Sequence, residues 1–262
     1  MSYELGVKNG GEGKQVYILT QYTKKSIEMD NQSTLKEAAN MGKEWNQLKI
    51  PASLRNIESR FCYTDIWKFL HFKGIELYGK KFRLYEEDLP VILQLVSAVV
   101  KDEKVAAEYS LDLEKGILLT GPVGCGKTSL MNLLRYLVPI DHRHRLHSCR
   151  EIAFEYSRDG HAALHRYAKG SFSTRKFEPV VYCFDDLGLE NETHHYGNSC
   201  SVMAEILLSR YDYFHSFGMV THLTTNLNSI EIEKQYGLRV RSRLREMFNL
   251  VAFPGDAMDK RR

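Results

Sequence analysis

The stretch Gly116-Ile117-Leu118-Leu119-Thr120-Gly121-Pro122-Val123-Gly124-Cys125-Gly126-Lys127-Thr128-Ser129 decides how the rest of the chain is read. Its first five residues are a short apolar run of the kind that makes a buried strand. The next eight spell G-x-x-x-x-G-K-[ST], the pattern of a phosphate-binding loop between a strand and a helix. Glycines let the backbone curl so that successive N–H groups converge on an anion, beside a helix N-terminus whose dipole end is positive. On this reading Gly121, Pro122, Val123, Gly124, Cys125, Gly126, Lys127, Thr128 and Ser129 surround the phosphates. Lys127 reaches the outer phosphates as a point charge, and the Thr128 hydroxyl is a ligand for Mg²⁺. Cys125 occupies a variable loop position rather than serving as a reactive thiol.

Downstream, Val180–Phe184, Met219–Thr225 and Leu250–Phe253 repeat the buried-strand texture. Ser129–Tyr136, Arg150–Tyr156, Ser201–Phe214 and Ile230–Tyr236 between them carry helical spacing. Such runs, without strict alternation and separated by helices, predict an α/β fold with a parallel sheet covered on both faces. The run Val180–Phe184 is followed by Asp185 and Asp186. A magnesium nucleotide site needs a carboxylate at the end of a neighbouring strand. Asp185 suits the metal, through water, and Asp186 suits polarising an attacking water. The next strand ends in Thr224-Thr225-Asn226, whose amide can both donate to and accept from a lytic water. Arg239, Arg241, Arg243 and Arg245 then alternate. In a helix Arg239 and Arg243 share a face one turn apart. A guanidinium supplied by a neighbouring subunit would stabilise transition-state charge. A solvated basic helix, or one touching nucleic-acid phosphates, fits the same residues.

Upstream the texture differs. Residues 1–50 read as a polar N-terminal arm, with an amphipathic helix from Leu35 to Leu48, and Pro51 marks a boundary. The segment 51–111 is helical and rich in aromatics, with Phe61, Tyr63, Trp67, Phe69, Phe72, Tyr78, Phe82 and Tyr85. At helical spacing these rings suit a core better than a platform for unpaired bases. The helix from Asp88 onward has Asp88 as its expected cap and Pro90 in its first turn. The nucleotide domain is expected over 112–262. Within it, His142, His144 and His147 alternate before Cys149, with no second ligand cluster to close a metal site, so a surface strand or basic edge is the reading. His194-His195-Tyr196-Gly197 reads as a solvated loop after the acidic pair.

Composition bounds the class. The chain has 262 residues, 43% hydrophobic and 26% charged, which is enough for a sizeable core. A net charge of +3 is too mild to argue for nucleic acid by itself, so any basic patch must be local. No stretch approaches the roughly 18 apolar residues of a membrane span, and the N-terminus lacks the apolar core of a signal peptide. Five cysteines without finger spacing suggest thiols in a reducing compartment. A cytoplasmic protein is expected.

The order of these elements resembles the AAA+ ATPases, and within them the DnaC/IstB-like group of helicase loaders and transposition ATPases. The matching text is GPVGCGKTS, CFDDLG, AEILLSRYDYF, THLTTNL and YGLRVRSRL, across about residues 112–253. The resemblance implies a P-loop NTPase αβα sandwich of the AAA+ type, with a parallel sheet, preceded by a mainly helical N-terminal segment. It makes Lys127 and Thr128 the Walker A residues, Asp185 and Asp186 the Walker B pair, and Asn226 sensor 1. Arg243 becomes the arginine finger, accompanied by Arg239, and Arg210-Tyr211 matches a pair common in the group. Further implications are ATP and Mg²⁺ as cofactors, a homo-oligomer with shared sites on DNA, and a role in replication (helicase loading) or transposition. The N-terminal segment would dock a helicase, transposase or similar protein, with no membrane involved. The alternative is an ATP-gated binding module whose turnover is incidental, and a small-molecule kinase is disfavoured by the arginine box. Two departures stand out: Asp-Asp replaces the commoner Asp-Glu, and no separate helical lid follows Phe253. Arg261 or Arg262 would be the second-sensor candidates, against the plainer reading of a frayed tail.

Overall fold

The computed structural model describes residues 48–138, 140–174, 177–190, 193–195 and 198–261, with backbone alone at 193–195 and 198–199. Residues 1–47 of the polar arm, with all of its helix but Leu48, fall outside the described residues, as do Tyr196, Gly197, Arg262 and the side chains of His194 and His195.

Two compact units divide between Arg83 and Leu84. In the first, a 3-10 turn at Ala52–Asn56 precedes α1 (Tyr63–Tyr78). Tyr63, Trp67, Leu70 and Gly74 recur at helical spacing and are buried, which gives α1 its inner face. The helix stops at Gly79, whose N–H donates to the Ile75 carbonyl at 2.8 Å. Half of the aromatic band is packed inward: Phe61, Tyr63, Trp67 and Phe72 are buried, while Tyr78 is exposed and stacks on Phe82.

The second unit begins with a 3-10 turn, Glu86–Asp88, that leads into α2 (Leu89–Val100) and α3 (Glu103–Glu108). Asp88 precedes α2 as expected, but its side chain makes no capping bond. Its carboxylate instead accepts from the Lys260 ammonium, because a charge-assisted bond outweighs a bond to a backbone N–H. There follow β1 (Gly116–Thr120), α4 (Lys127–Leu134), β2 (Arg145–Ser148), α5 (Cys149–Asp159), α6 (His161–Tyr167) and β3 (Tyr182–Leu187). The remainder is β4 (Thr193–His195), β5 (Asn198–Cys200), α7 (Val202–Phe217), β6 (Thr221–Thr225), α8 (Ser229–Met247) and β7 (Phe248–Ala252).

The main sheet has the order β2-β3-β6-β1-β7 and every pairing is parallel. Leu118 of β1 lies opposite Leu223 of β6 on one side and Leu250 of β7 on the other. Leu118, Leu223 and Phe184 join Ile152, Met203, Leu207 and Leu244 of the helices α5, α7 and α8 in one buried cluster. Strand alternation turns Ile117 and Leu119 the other way, and α2 packs against α4 and β7. The sheet is thus an αβα sandwich.

Several elements differ from expectation. The second strand begins at Tyr182 and continues through Leu187, so Asp185 and Asp186 lie within it rather than after it. The histidine segment does not lie on one strand face. His142 ends a 3-10 turn, His144 is buried ahead of β2, and only His147 lies on that edge strand. Among the described residues no group of three or more His, Cys, Asp or Glu is placed to hold a metal ion. The segment after β3, expected as a loop, contains an antiparallel pair with Thr193 opposite Cys200. No helix among the described residues is long and apolar enough to cross a membrane.

Candidate nucleotide site

The loop between β1 and α4 has the backbone its glycines allow. Gly124 (φ 84°) and Gly126 (φ 99°) are in the left-handed region, where a side chain is strained. Gly126 is the N-cap of α4, so Lys127 and Thr128 sit in the helix's first turn. The Lys127 side chain is buried and curls back over the loop. Its ammonium donates to the Gly121 and Pro122 carbonyls at 2.8 Å each and to the Asn226 amide oxygen. Burial lowers the Lys127 pKa, against the raising effects of Cys125, Asp186 and Asp185. Cys125 is fully buried and burial pushes its thiol up, which fits an inert loop position.

The acidic strand meets the loop through Thr128, whose hydroxyl lies 3.0 Å from both oxygens of Asp185. Thr224 latches the same strand from β6. Its hydroxyl donates to Asp185 at 2.6 Å and accepts from the Asp186 N–H at 2.9 Å. Burial raises the Asp185 pKa and Asp186 adds to that, while the two hydroxyl bonds and Lys127 pull it down. Asp186 has φ 57°, at a register shift between Phe184 and Leu187 in the β3–β6 ladder. A bulge of this kind re-aims a side chain next to a site, and Asp tolerates the left-handed region better than most residues.

Lys127, Thr128, Asp185, Asp186 and Asn226 therefore converge from three chain segments on one end of the sheet. The rows of N–H donors at a helix start, one ammonium and a hydroxyl–carboxylate pair suit a phosphate chain with a divalent cation. Thr128 and Asp185 could hold that cation. The glycine cradle fits the same group, since Gly124 and Gly126 hold positive φ angles that L side chains rarely adopt.

Arg239 and Arg243 lie elsewhere. They share a face of α8, as read from the sequence, and line a recess of about 300 Å³ with Glu205, Ser209, Tyr211 and Asp212. The Arg243 guanidinium stacks over the Tyr211 ring at 4.1 Å and donates to its hydroxyl at 2.7 Å and to Glu246 at 3.2 Å. None of these partners belongs to the phosphate loop.

Three structural ties escaped sequence reasoning. Arg210 is fully buried and donates to Thr221 Oγ1, Ser171 Oγ and the carbonyls of Tyr167, Val180 and Val220. It pins the starts of β3 and β6, and burial lowers its pKa to about 9. Its position in step with buried Met203, Ile206 and Leu207 along α7 was the available signal. Glu190 is buried beyond β3, accepts from the Gly188 N–H at 2.9 Å and from the Tyr236 hydroxyl, and so joins the acidic strand to α8. The third is the C-terminal tail. A frayed tail is expected at Arg261 and Arg262, but the preceding Lys260 N–H donates to the Gly124 carbonyl at 3.1 Å, and the Arg261 N–H donates to Asp259.

No family model matches the sequence, and no curated protein matches it. Among solved structures the chain is similar to the DnaC helicase loader, with TM-score 0.45 and 18% identity over 67% of this chain and 95% of that one. It is similar to DnaI, with TM-score 0.44 and 19% identity over 67% and 87% of the two chains. AMPPCP-bound DnaA from Aquifex aeolicus gives TM-score 0.43 and 17% identity over 68% and 50%. The strand order and the loop, not these likenesses, define the class: the fold is a parallel-sheet αβα sandwich of the P-loop NTPase kind.

Proposed function

We propose that the protein binds and hydrolyses ATP with Mg²⁺ as an AAA+ protein of the DnaC/IstB-like group. It assembles with copies of itself on DNA and serves replication, by helicase loading, or transposition and mobile-element transfer. The N-terminal segment docks a helicase, transposase or similar partner. One observation carries this reading: Lys127, the Thr128–Asp185 pair and Asn226 meet at a loop shaped for phosphates.

When bound, the magnesium nucleotide supplies the phosphoanhydride and the metal's Lewis acidity. The loop's N–H groups bind the phosphate oxygens, and Lys127 exchanges the Gly121 and Pro122 carbonyls for the outer phosphates. Thr128 and Asp185 would hold the cation, with Thr224 keeping the Asp185 carboxylate in place. Asp186 accepts the proton of a water that Asn226 orients. Arg243, whose own contacts are away from this loop, acts on a neighbouring subunit's site, with Arg239 beside it.

Hydrolysis per subunit should rise with protein concentration and again with DNA. Arg243→Ala should lower it by about 10³-fold while leaving ATP binding intact. Undiminished turnover at all concentrations would remove the shared-site model. The Tyr211 and Glu246 contacts of Arg243 favour a second reading, an ATP-gated binding module in which that arginine is held within its own chain. That reading expects a flat, DNA-blind rate and equal partner binding with ATP and a non-hydrolysable analogue.

A further inference from the structure

The carbonyl groups of the phosphate loop are engaged from two sides. From within, Lys127 takes those of Gly121 and Pro122. From the other side, the tail takes two beyond Val123: the Lys260 N–H donates to Gly124 O at 3.1 Å and the Lys260 ammonium donates to Cys125 O at 2.6 Å. These carbonyls belong to the peptides whose N–H groups are those of Cys125 and Gly126. A hydrogen bond at the carbonyl end polarises a peptide and strengthens its N–H as a donor.

Lys260 is held by several neighbours. Its ammonium also pairs with Asp88, which is buried at the start of α2, and lies 4.8 Å from the centre of the Phe253 ring and 5.5 Å from that of Tyr85. Phe253 in turn packs on Gly121, where an added Cβ would lie 2.7 Å from its own Cβ. Asp259 abuts Gly124 and accepts from the Arg261 N–H at 3.0 Å. Phe253, Asp259 and Lys260 therefore lie against the loop at Gly121, Gly124 and Gly126. The Asp88 carboxylate balances the Lys260 charge, so the lysine offers hydrogen bonds without setting a bare cation beside Lys127.

We propose that Lys260, clamped by Asp88, is a positioning residue for nucleotide: it braces the Gly124–Gly126 peptides so that their N–H groups face the phosphates. The proposal rests on the nucleotide reading above and adds to it a group that acts through the loop from outside. Lys260→Met keeps the apolar stem along the two rings and removes the ammonium, and Lys260→Arg keeps the charge.

The test is titration of wild type and these variants with a fluorescent ATP analogue and Mg²⁺, alongside thermal melting without nucleotide. The expected result is a Kd raised about tenfold in Lys260→Met, largely restored in Lys260→Arg, with both variants melting as folded proteins. Asp88→Asn should weaken binding in the same direction. An unchanged Kd in a folded Lys260→Met protein would overturn the brace. Tighter binding would overturn it too, and make the tail a competitor of the nucleotide. Lys127→Ala separates the two readings: if wild type and Lys127→Ala both fail to bind, the nucleotide site itself is refuted and the brace falls with it.

Discussion

Arg210 is the residue with the largest local consequence. An ionised side chain is costly to bury, and this one persists because five acceptors from four segments surround it. Replacing it with Met would relieve the desolvated charge but orphan several buried acceptors, each worth about 1–3 kcal/mol. The second effect should win. Arg210→Met is expected to lose about 3 kcal/mol of stability by urea unfolding, and a loss below about 1 kcal/mol would show that the acceptors re-pair among themselves. The neighbouring Tyr211 has a different task, which is to carry Arg243. The adjacent pair quoted from the sequence thus divides into an internal tie and a surface platform.

At the level of elements, α8 is two helices joined at Gly237, whose φ of 86° and ψ of 162° only glycine adopts readily. Its first half starts at a capping box, with the Asn228 side chain accepting from the Ile230 and Glu231 N–H groups. Tyr236, just before the joint, is tied to Glu190 beyond the acidic strand. The second half carries Arg239 and Arg243. Gly237→Ala meets no neighbouring atom, so its cost is backbone strain alone, about 1–3 kcal/mol. Urea unfolding should register that loss, and hydrolysis should fall because the arginines are re-aimed. A variant that matched wild type in both would mean the joint is not needed.

For the molecule as a whole, acid is the revealing condition. His144 is buried, and its Nε2 must donate to the Met131 carbonyl, 2.9 Å away. Burial, helped by the charge of Arg135, lowers its pKa to about 4 from 6.5, against that bond. His222 meets His144 edge to face at 5.1 Å, accepts from the Ile117 N–H, and is lowered as well by burial. Between about pH 6.5 and pH 4 the unfolded chain binds a proton at His144 that the folded one refuses, so stability falls as the pH falls through that window. The contribution of His144 is about 2 kcal/mol at pH 5 relative to pH 7. His144→Gln can still donate to Met131 and does not titrate. Denaturation at the two pH values should therefore show a smaller acid loss in the variant, by about that amount. Equal losses would place the acid sensitivity in other groups.

The parts of this protein that sequence alone determined are those governed by neighbours along the chain. A five-residue apolar run followed by spaced glycines can do little except form a strand and a tight anion-facing turn, so β1, the loop and the first turn of α4 were all legible. The acidic strand and the strand ending at Asn226 were legible for the same reason, to within a few residues. Side-chain partners far apart in sequence were not. The bulge that sets Asp186 depends on pairing with β6. The edge position of β2 depends on which strand it finds, not on its own spelling. Lys260 and Asp88 stand 172 positions apart, and the periodicity around either one carries no information about the other. An aspartate before a helix looks like a cap, and a lysine near the last residue looks like a loose end. Only closure of the sheet brings the two beneath one loop, where Lys260 offsets part of the burial cost that still raises the Asp88 pKa.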